Sequence, residues 1–537
     1  MSTPPDRASG PEDTLSIRPG VPPGLRLMEA LGLAALGALQ TLSYVHTWAW
    51  WLPVLTLAVL VWRLDGSAPR RAALWGWSYG TGWLLGGVWW LFISMHNYGG
   101  LPAPLAALAV LALAAALSLY LAAAAALYAH LRRATLWGDA ALFAALFLLA
   151  EWARGVLFTG FPWVVLGYSQ VDAPLAVLAP WLGVYGLGAV LAWAAAMLAG
   201  MARVRPGERP TVVALVVVLL TLPGVAGPWN FTGGSGGLTV ALLQTNVQQD
   251  EKFSAERLPE TLAWVARELQ AAEADLVVTP ETAVPLLPYQ LADVAPGYWD
   301  ALVAHFKTAG GAALVGVPLG DFERGYTNSA VGMSAAGAGY RYDKQHLVPF
   351  GEFIPPGFRW FTEMMNIPLG DFNRGVPAAP SFPVGKQRVA PNICYEDLFG
   401  EELALRFRHP DQAPTVLANI SNIAWFGDTV AIAQHRHISR FRALELQRPM
   451  IRATNTGATV AINHRGKVLA ELQPGTRGVL TARVEGRVGS TPFAWWASRY
   501  GLWPLVVLAV LLVLGLSGRV ARRGEASDTA LPPGAAP

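Results

Sequence analysis

The stretch RVAPNICYED, residues 388–397, is a short apolar run that breaks into polar residues at Cys394. Runs of this length read as buried strands. LTVALLQTN (238–246), ADLVVTPE (274–281), GGAALVGVP (310–318) and PTVLANISN (414–422) repeat the plan. GATVAINHRG (457–466) and GVLTARVEG (478–486) read as further, antiparallel strands with Gly turns. Helical patterns lie between, in AERLPETLAWVARELQAAE (255–273) and AIAQHRHISRFRALELQRP (431–449). Strands alternating with helices predict an α/β layered domain. Polar residues at the carboxyl ends of such strands are where active sites usually sit, and Glu281 and Cys394 both fall there.

Cys394 is the only cysteine in 537 residues. It cannot form an intramolecular disulfide, so it is either a small buried hydrophobe or a reactive thiol. To act as a nucleophile it needs a base and a cation nearby. TPETAVP places Glu281 at a strand end, and YDKQHLVPFGEFIP places Lys344 after another strand with Glu352 in the following turn-rich loop. Taken singly, Glu281 reads equally as a solvated strand end and Lys344 as a surface lysine. His435 and His437 read as helix-surface or packing residues, since no Cys/His metal-ligand spacing is present.

Outside this block the chain changes character. Hydrophobic residues make up 53% and charged residues 14%, against about 25% charged in a soluble globular chain. The long apolar runs lie in 27–229 and 500–518, and 238–488 carries mixed charges. A transmembrane helix needs roughly 20 apolar residues. Eight segments are candidates: 27–43, 48–63, 72–94, 104–130, 138–157, 174–200, 210–228 and 500–518. The first two, separated by YVHT, read as a hairpin, and Glu151 and Arg154 sit in apolar surroundings near the end of the fifth.

Basic residues follow the second segment (Arg63, Arg70, Arg71), the fourth (Arg132, Arg133), the sixth (Arg203, Arg205, Arg209) and the eighth (Arg519, Arg522, Arg523). The loops after the first and third have none. Basic loops stay inside. Both termini are therefore expected in the cytoplasm, and the strand-rich block on the other side, which in a bacterium is the periplasmic or extracytoplasmic side of the inner membrane. A lone cysteine in that oxidising compartment favours a free thiol. The expected layout is a polar tail at 1–26, seven membrane helices in 27–229, the α/β domain at 230–492, the eighth helix in 493–519 and a second tail at 520–537. The net charge of +3 is small and scattered, which argues against nucleic acid as a partner.

Together, Glu281, Lys344 and Cys394 resemble the Glu–Lys–Cys triad of the carbon–nitrogen hydrolase (nitrilase) superfamily, in the same chain order. TGFPW (159–163), LLQTNVQQDEKF (242–253), HLVPFGEFIP (346–355), ICYED (393–397), NISNIAWFGDT (419–429) and FRALELQRPMIRATNTG (441–457) narrow the resemblance to the apolipoprotein N-acyltransferase family. The triad alone supports only the superfamily, while the membrane frame and these stretches carry the family. The resemblance implies an α-β-β-α sandwich joined to an eight-helix transmembrane bundle, working as a monomer with no cofactor and no metal. The implied reaction moves an acyl chain from a membrane phospholipid to the N-terminal amine of a diacylated apolipoprotein, through a thioester on Cys394. In it Glu281 is the base, and Lys344 and the Tyr395 backbone N–H stabilise the oxyanion.

Glu352 and Glu396 match supporting positions of the family, as groups that hold Lys344 charged and orient the site, or as braces for their loops. Tyr395 reads as a packing aromatic or as lining for the acyl chain. Phe253, at the expected lipid entrance, stands where the family often has Trp, keeping the ring and losing the indole N–H. The loop 355–372 concentrates Phe358, Trp360, Phe361, Met364, Met365 and Ile367. It reads as a lid that dips into the bilayer, or as an ordinary loop packed on the domain. Two other functions compete. A membrane-tethered amidase would use the same triad with water as acceptor, and a transporter or scaffold would carry an inactive domain. The apolar loop argues against the first, and the intact triad and charge-poor spans argue against the second.

Overall fold

A computed structural model describes residues 23–355, 357 and 371–528. Its strands are β1 (Thr232–Gln244), β2 (Leu276–Val278), β3 (Ala312–Asp321), β4 (Gly325–Ser334), β5 (Gly337–Asp343), β6 (Phe382–Val384), β7 (Gln387–Ile393), β8 (Val416–Ser421), β9 (Met450–Thr454), β10 (Val460–Ile462), β11 (Val468–Glu471) and β12 (Gly478–Gly489). They form two six-stranded sheets, ordered β12-β1-β2-β3-β4-β5 and β11-β10-β9-β8-β7-β6. In each sheet the central trio is parallel, β1-β2-β3 and β7-β8-β9, and the flanking pairs are antiparallel.

The side-chain period of two explains the layering. Val240 and Leu242 of β1 point into a core shared with Val278, Leu314, Ile393, Val416, Ile420 and Ile451, where the two sheets face each other. Their neighbours Ala241 and Leu243 point the other way, onto Leu262, Val265 and Leu269 of a helix and onto Phe306 of another. On the far side, Leu417, Met450 and Val460 pack on Ala443 and Leu446. The result is the α-β-β-α sandwich that the resemblance implies.

Helices α1 (Pro23–Gln40), α2 (Leu52–Leu64), α3 (Pro69–Val88), α4 (Ala103–Leu117), α5 (Leu119–Leu131), α6 (Leu136–Val156), α7 (Ala179–Gly200) and α8 (Arg209–Ala226) precede the sheets. The sandwich adds α9 (Leu258–Ala271), α10 (Tyr298–Ala309) and α11 (Val430–Leu446), and α12 (Pro492–Tyr500) and α13 (Trp503–Asp528) follow. All eight expected apolar segments contain helix. Among the described residues, five helical stretches are long and apolar enough to cross a membrane by length and composition, or six if α12 and α13, bent by 85°, count as one. The two that fall short are α1, which carries Arg26 and Glu29, and α3, which opens on Arg70 and Arg71 and is rich in glycine. These glycines serve contact. A Cβ on Gly82 would strike the backbone of Ala34, and one on Gly37 the backbone of Tyr79, so α1 and α3 cross at backbone distance. Glu151 and Arg154, buried in α6, pair with each other at 3.1 Å.

The helical region and the sandwich share one hydrophobic cluster. It runs from Leu57, Phe143 and Leu191 to Tyr395, Leu398, Ile438 and Phe441. Polar ties reinforce it. The Gln434 side-chain oxygen accepts from the indole N–H groups of Trp90 (3.0 Å) and Trp163 (2.8 Å), and its amide donates to the Gly87 carbonyl (3.0 Å). Glu445 accepts from the Val184 N–H at 2.6 Å, and Arg440 reaches Asp172 at 3.0 Å.

Replacing Gln434 by Leu leaves buried indole and carbonyl groups without this partner, each at a cost of about 1–3 kcal/mol. Gln434→Leu is expected to lower the thermal midpoint in detergent by several degrees, whereas Arg465→Ala on the exposed surface leaves it in place. A midpoint equal to the parent's would show that the Gln434 junction contributes nothing.

Candidate active site

The site forms where the strand ends meet. Ile393 of β7 is in register with Ile420 of β8, and Ser421 of β8 with Thr454 of β9. Cys394, Asn422 and Asn455 therefore emerge along one edge, and Glu281 follows β2 in the facing sheet. Asn455 joins the two sheets there. Its side chain accepts from the Val247 N–H (2.9 Å) and donates to Asn422 (2.9 Å), which in turn donates to Gln249 (2.8 Å). Cys394 takes a left-handed backbone with φ +53°, and Thr282, next to Glu281, does likewise at +54°. Such strain in non-glycine residues clusters at functional sites.

Lys344, one residue beyond β5, is 1% exposed. Its Nζ lies 2.9 Å from Glu352 Oε1 and 3.6 Å from Glu281 Oε1. Asn328 of β4 bridges the same two oxygens, donating to Glu281 at 2.6 Å and to Glu352 at 2.8 Å. The second Glu281 oxygen accepts from the Asn422 N–H at 2.7 Å, and the second Glu352 oxygen from the Val348 N–H at 2.8 Å. Two carboxylates thus share one ammonium and one amide. The flanking carboxylates hold the Lys344 ammonium well above the usual lysine range, against the pull of burial.

The partly buried Cys394 thiol feels this set directly. Burial pushes it up to about 12, the Glu281 carboxylate adds to that, and the Lys344 ammonium opposes it. At neutral pH it is a thiol, so any attack by sulfur must coincide with loss of its proton to a base. The arrangement offers that base and a cation beside the same sulfur.

Behind the thiol, the Cys394 carbonyl accepts from Asn419 at 3.2 Å and lies 3.3 Å from His435 Nε2. His435 is bound to Asp397 at 2.9 Å, and Asp397 to Arg452 at 3.0 Å. His435 and His437 are both buried, so their helix carries them inside the protein rather than on its surface. The Glu396 carboxylate accepts from the N–H groups of Gln345 (2.7 Å) and Ile393 (2.6 Å) and from Tyr342 (2.7 Å). It therefore braces the turns carrying Lys344 and Cys394 rather than bonding Lys344 itself. Tyr395 is buried, and its hydroxyl donates to the Gly160 carbonyl at 3.0 Å.

Phe253 is exposed beside a buried lysine, Lys252, which donates to the Glu281 carbonyl at 3.0 Å. Trp360, Phe361 and Met364 lie outside the described residues. The sequence reading missed Lys252, Asn328 and Asn455. Lys252 sits in a polar DEK run and gives no sign of burial. Asn328 and Asn455 are legible only as asparagines at a strand or its end.

Residues 36–197 match the family described as apolipoprotein N-acyltransferase N-terminal domain, and residues 239–493 match carbon-nitrogen hydrolase. An apolipoprotein N-acyltransferase of Verminephrobacter eiseniae is 50% identical over 498 residues, covering 87% of this chain and 92% of that protein. One of Ralstonia nicotianae is 45% identical over 533 residues, covering 98% and 99%. The chain belongs to the apolipoprotein N-acyltransferase family. A solved amidase from Nesterenkonia sp. is similar at 17% identity, over 49% of this chain and 95% of that one, with a TM-score of 0.34.

The family's carbon–nitrogen hydrolase portion is the one that carries the site. The Glu281 turn is held in place by a close approach, since a Cβ on Gly316 of β3 would collide with the carbonyl of Pro280 and crowd Thr282. Gly316→Ala is expected to cost about 1–3 kcal/mol and to slow alkylation of Cys394 as the carboxylate shifts. Gly339→Ala, where nothing lies within 4 Å, should change neither. Equal behaviour of the two variants in thermal melts and alkylation assays would sink the role given to Gly316.

Proposed function

We propose that this protein transfers a fatty acyl chain from a membrane phospholipid to the N-terminal amine of a diacylglyceryl-cysteine apolipoprotein, through a thioester on Cys394. The observation that carries the reading is a single thiol set between Glu281 and Lys344 at a strand end, in a sandwich that shares its core with apolar helices. Both substrates are lipid-anchored, which fits a site joined to such helices.

In the first half-reaction Cys394 sulfur attacks the ester carbonyl while Glu281 takes the thiol proton. The developing oxyanion is stabilised by Lys344 and the Tyr395 backbone N–H. The ester C–O bond then breaks, and Glu281 returns the proton to the departing lysophospholipid oxygen. In the second half the lipoprotein amine attacks the thioester carbonyl and loses a proton to Glu281. The C–S bond breaks, and the thiol is restored. Glu352 holds Lys344 in place, and Glu396 and Tyr395 hold the turn that presents the sulfur. The reaction is assigned to the periplasmic face of the bacterial inner membrane, with both termini cytoplasmic and the protein a monomer in the bilayer. Phe253 and the loop carrying Trp360, Phe361 and Met364 are assigned to the lipid entrance.

Intact mass spectrometry after mixing the purified protein with phospholipid alone tests the first half. An acyl-sized adduct is expected on the wild type and none on Cys394→Ala or Cys394→Ser. Adding a diacylated lipopeptide should discharge the adduct and give triacylated peptide. Free fatty acid in its place would indicate a hydrolase, and no adduct at all would refute the thioester route.

Glu281→Gln is expected to lower adduct formation by at least about 100-fold, because a carboxamide cannot take the thiol proton. Lys344→Met should lower it about 100- to 1000-fold, the range seen when an oxyanion donor is removed. Lys344→Arg should recover little, since a planar guanidinium does not fit between Glu281 and Glu352. Near-normal acylation in Glu281→Gln would remove it from the base role.

A further inference from the structure

The charges around Cys394 do not balance without Lys252. Glu281 and Glu352 act on the thiol as carboxylates and Lys344 as a single ammonium, which leaves one excess negative charge before any thiolate or oxyanion forms. Arg452 also acts on the thiol, but its guanidinium is bonded to Asp397.

Lys252 lies in the turn after β1 and is 8% exposed. Its ammonium carries three N–H donors. Among the described residues one of them is used, on the Glu281 carbonyl at 3.0 Å, and no carboxylate is paired with it. Burying an ammonium without a directly paired counter-ion is costly, and here the excess negative charge across the site, chiefly Glu281, offsets part of that cost. The charged groups that act on Lys252 are Glu281 from the turn after β2 and Cys394 from the turn after β7. On its own turn Asp250 is exposed and Glu251 pairs with Arg257.

We infer that Lys252 is a charge-balancing and positioning residue of the reaction, its ammonium offsetting the negative charge that develops at Cys394 and its hydrogen bond fixing the turn that carries Glu281. This rests on the acyl-transfer reading above. It gives the site two cations with different duties. Lys344 is locked between two carboxylates, and Lys252 keeps donors open for an anion that exists only during turnover, the kind of preorganised stabilisation that accelerates a step.

Burial pushes the Lys252 ammonium down to about 8, with Glu281 and Cys394 pulling it back up, which provides a signature. Below its own pKa a thiol alkylates about tenfold faster per pH unit, as thiolate accumulates. Losing the Lys252 proton removes a nearby positive charge and raises the thiol pKa. The line should therefore bend to a shallower slope near pH 8.

The test is alkylation of Cys394 by iodoacetamide, followed by intact mass from about pH 6 to pH 10. The expected wild-type profile has the bend. Lys252→Met should lack it and react roughly tenfold slower at about pH 7, one pKa unit of lost charge. Lys252→Arg should also lack it, since guanidinium does not titrate there, yet react close to the wild-type rate. Acyl-adduct formation from phospholipid should fall about 100-fold in Lys252→Met and recover to within about tenfold in Lys252→Arg. A straight wild-type line overturns the inference, as does a bend that persists in both variants. A wild type that shows the bend but takes no acyl group overturns the acyl-transfer reading and leaves the charge-balancing role in place.

Discussion

Everything near the strand ends answers to one constraint, the burial of the Lys344 ammonium. Taking such an ion out of water costs several kcal/mol even after relaxation, and only close, well-oriented counter-charges recover it. Glu352 at 2.9 Å and Glu281 at 3.6 Å supply them. Two carboxylates brought that near would repel each other, so the ammonium and the Asn328 amide between them are needed as much by the acids as the acids are by the lysine. The remaining donors are backbone N–H groups, Asn422 just past the parallel strand β8 and Val348 in the loop after β5. The thiol is left with a carboxylate and an ammonium acting on it in opposite senses.

The same turns are tied to the helical region. Tyr395, next to the thiol, donates to the Gly160 carbonyl, and His346, two residues after Lys344, lies 3.1 Å from the Thr159 carbonyl through Nε2. Phe158, Thr159 and Gly160 all have positive φ, an arrangement that aims consecutive carbonyls at the sandwich. Loop 157–163 thus helps set where both the sulfur and the ammonium stand, although it belongs to neither sheet. Thr159 and Gly160 of the TGFPW stretch make that contact.

The parts that were legible in the sequence are those where burial and chemistry agree. β1, β2, β3, β7 and β8 are apolar runs with polar ends, and Glu281 and Cys394 follow two of them, β2 and β7. β4 and β9 were not recognised. GYTNSAVGMS and MIRAT carry Asn328 and Arg452 inside strands, and both are buried because they serve networks around the site. A strand that buries polar groups for a purpose looks, residue by residue, like a strand that should not exist. α1 and α3 stand apart from the other expected spans for a related reason, since they carry charge and glycine where the others carry long apolar runs. Lys252 and His435 lie in polar or charged stretches whose interior position only the tertiary fold creates.

The hydrophobic cluster that crosses from Leu57 and Leu191 to Leu398 and Phe441 has a bearing on how such proteins can be recombined. Its two sides are not separable modules. Cutting the chain near Thr232 would bare Leu398, Ile438 and Phe441, and would strip Gln434, Arg440 and Glu445 of the tryptophans, aspartate and amide they bond. A chimaera between relatives therefore has to inherit the junction as a unit. Loop 157–163, Trp90, Asp172 and Val184 must travel with helix α11 and the turn at 394–399, wherever along the chain the exchange is made.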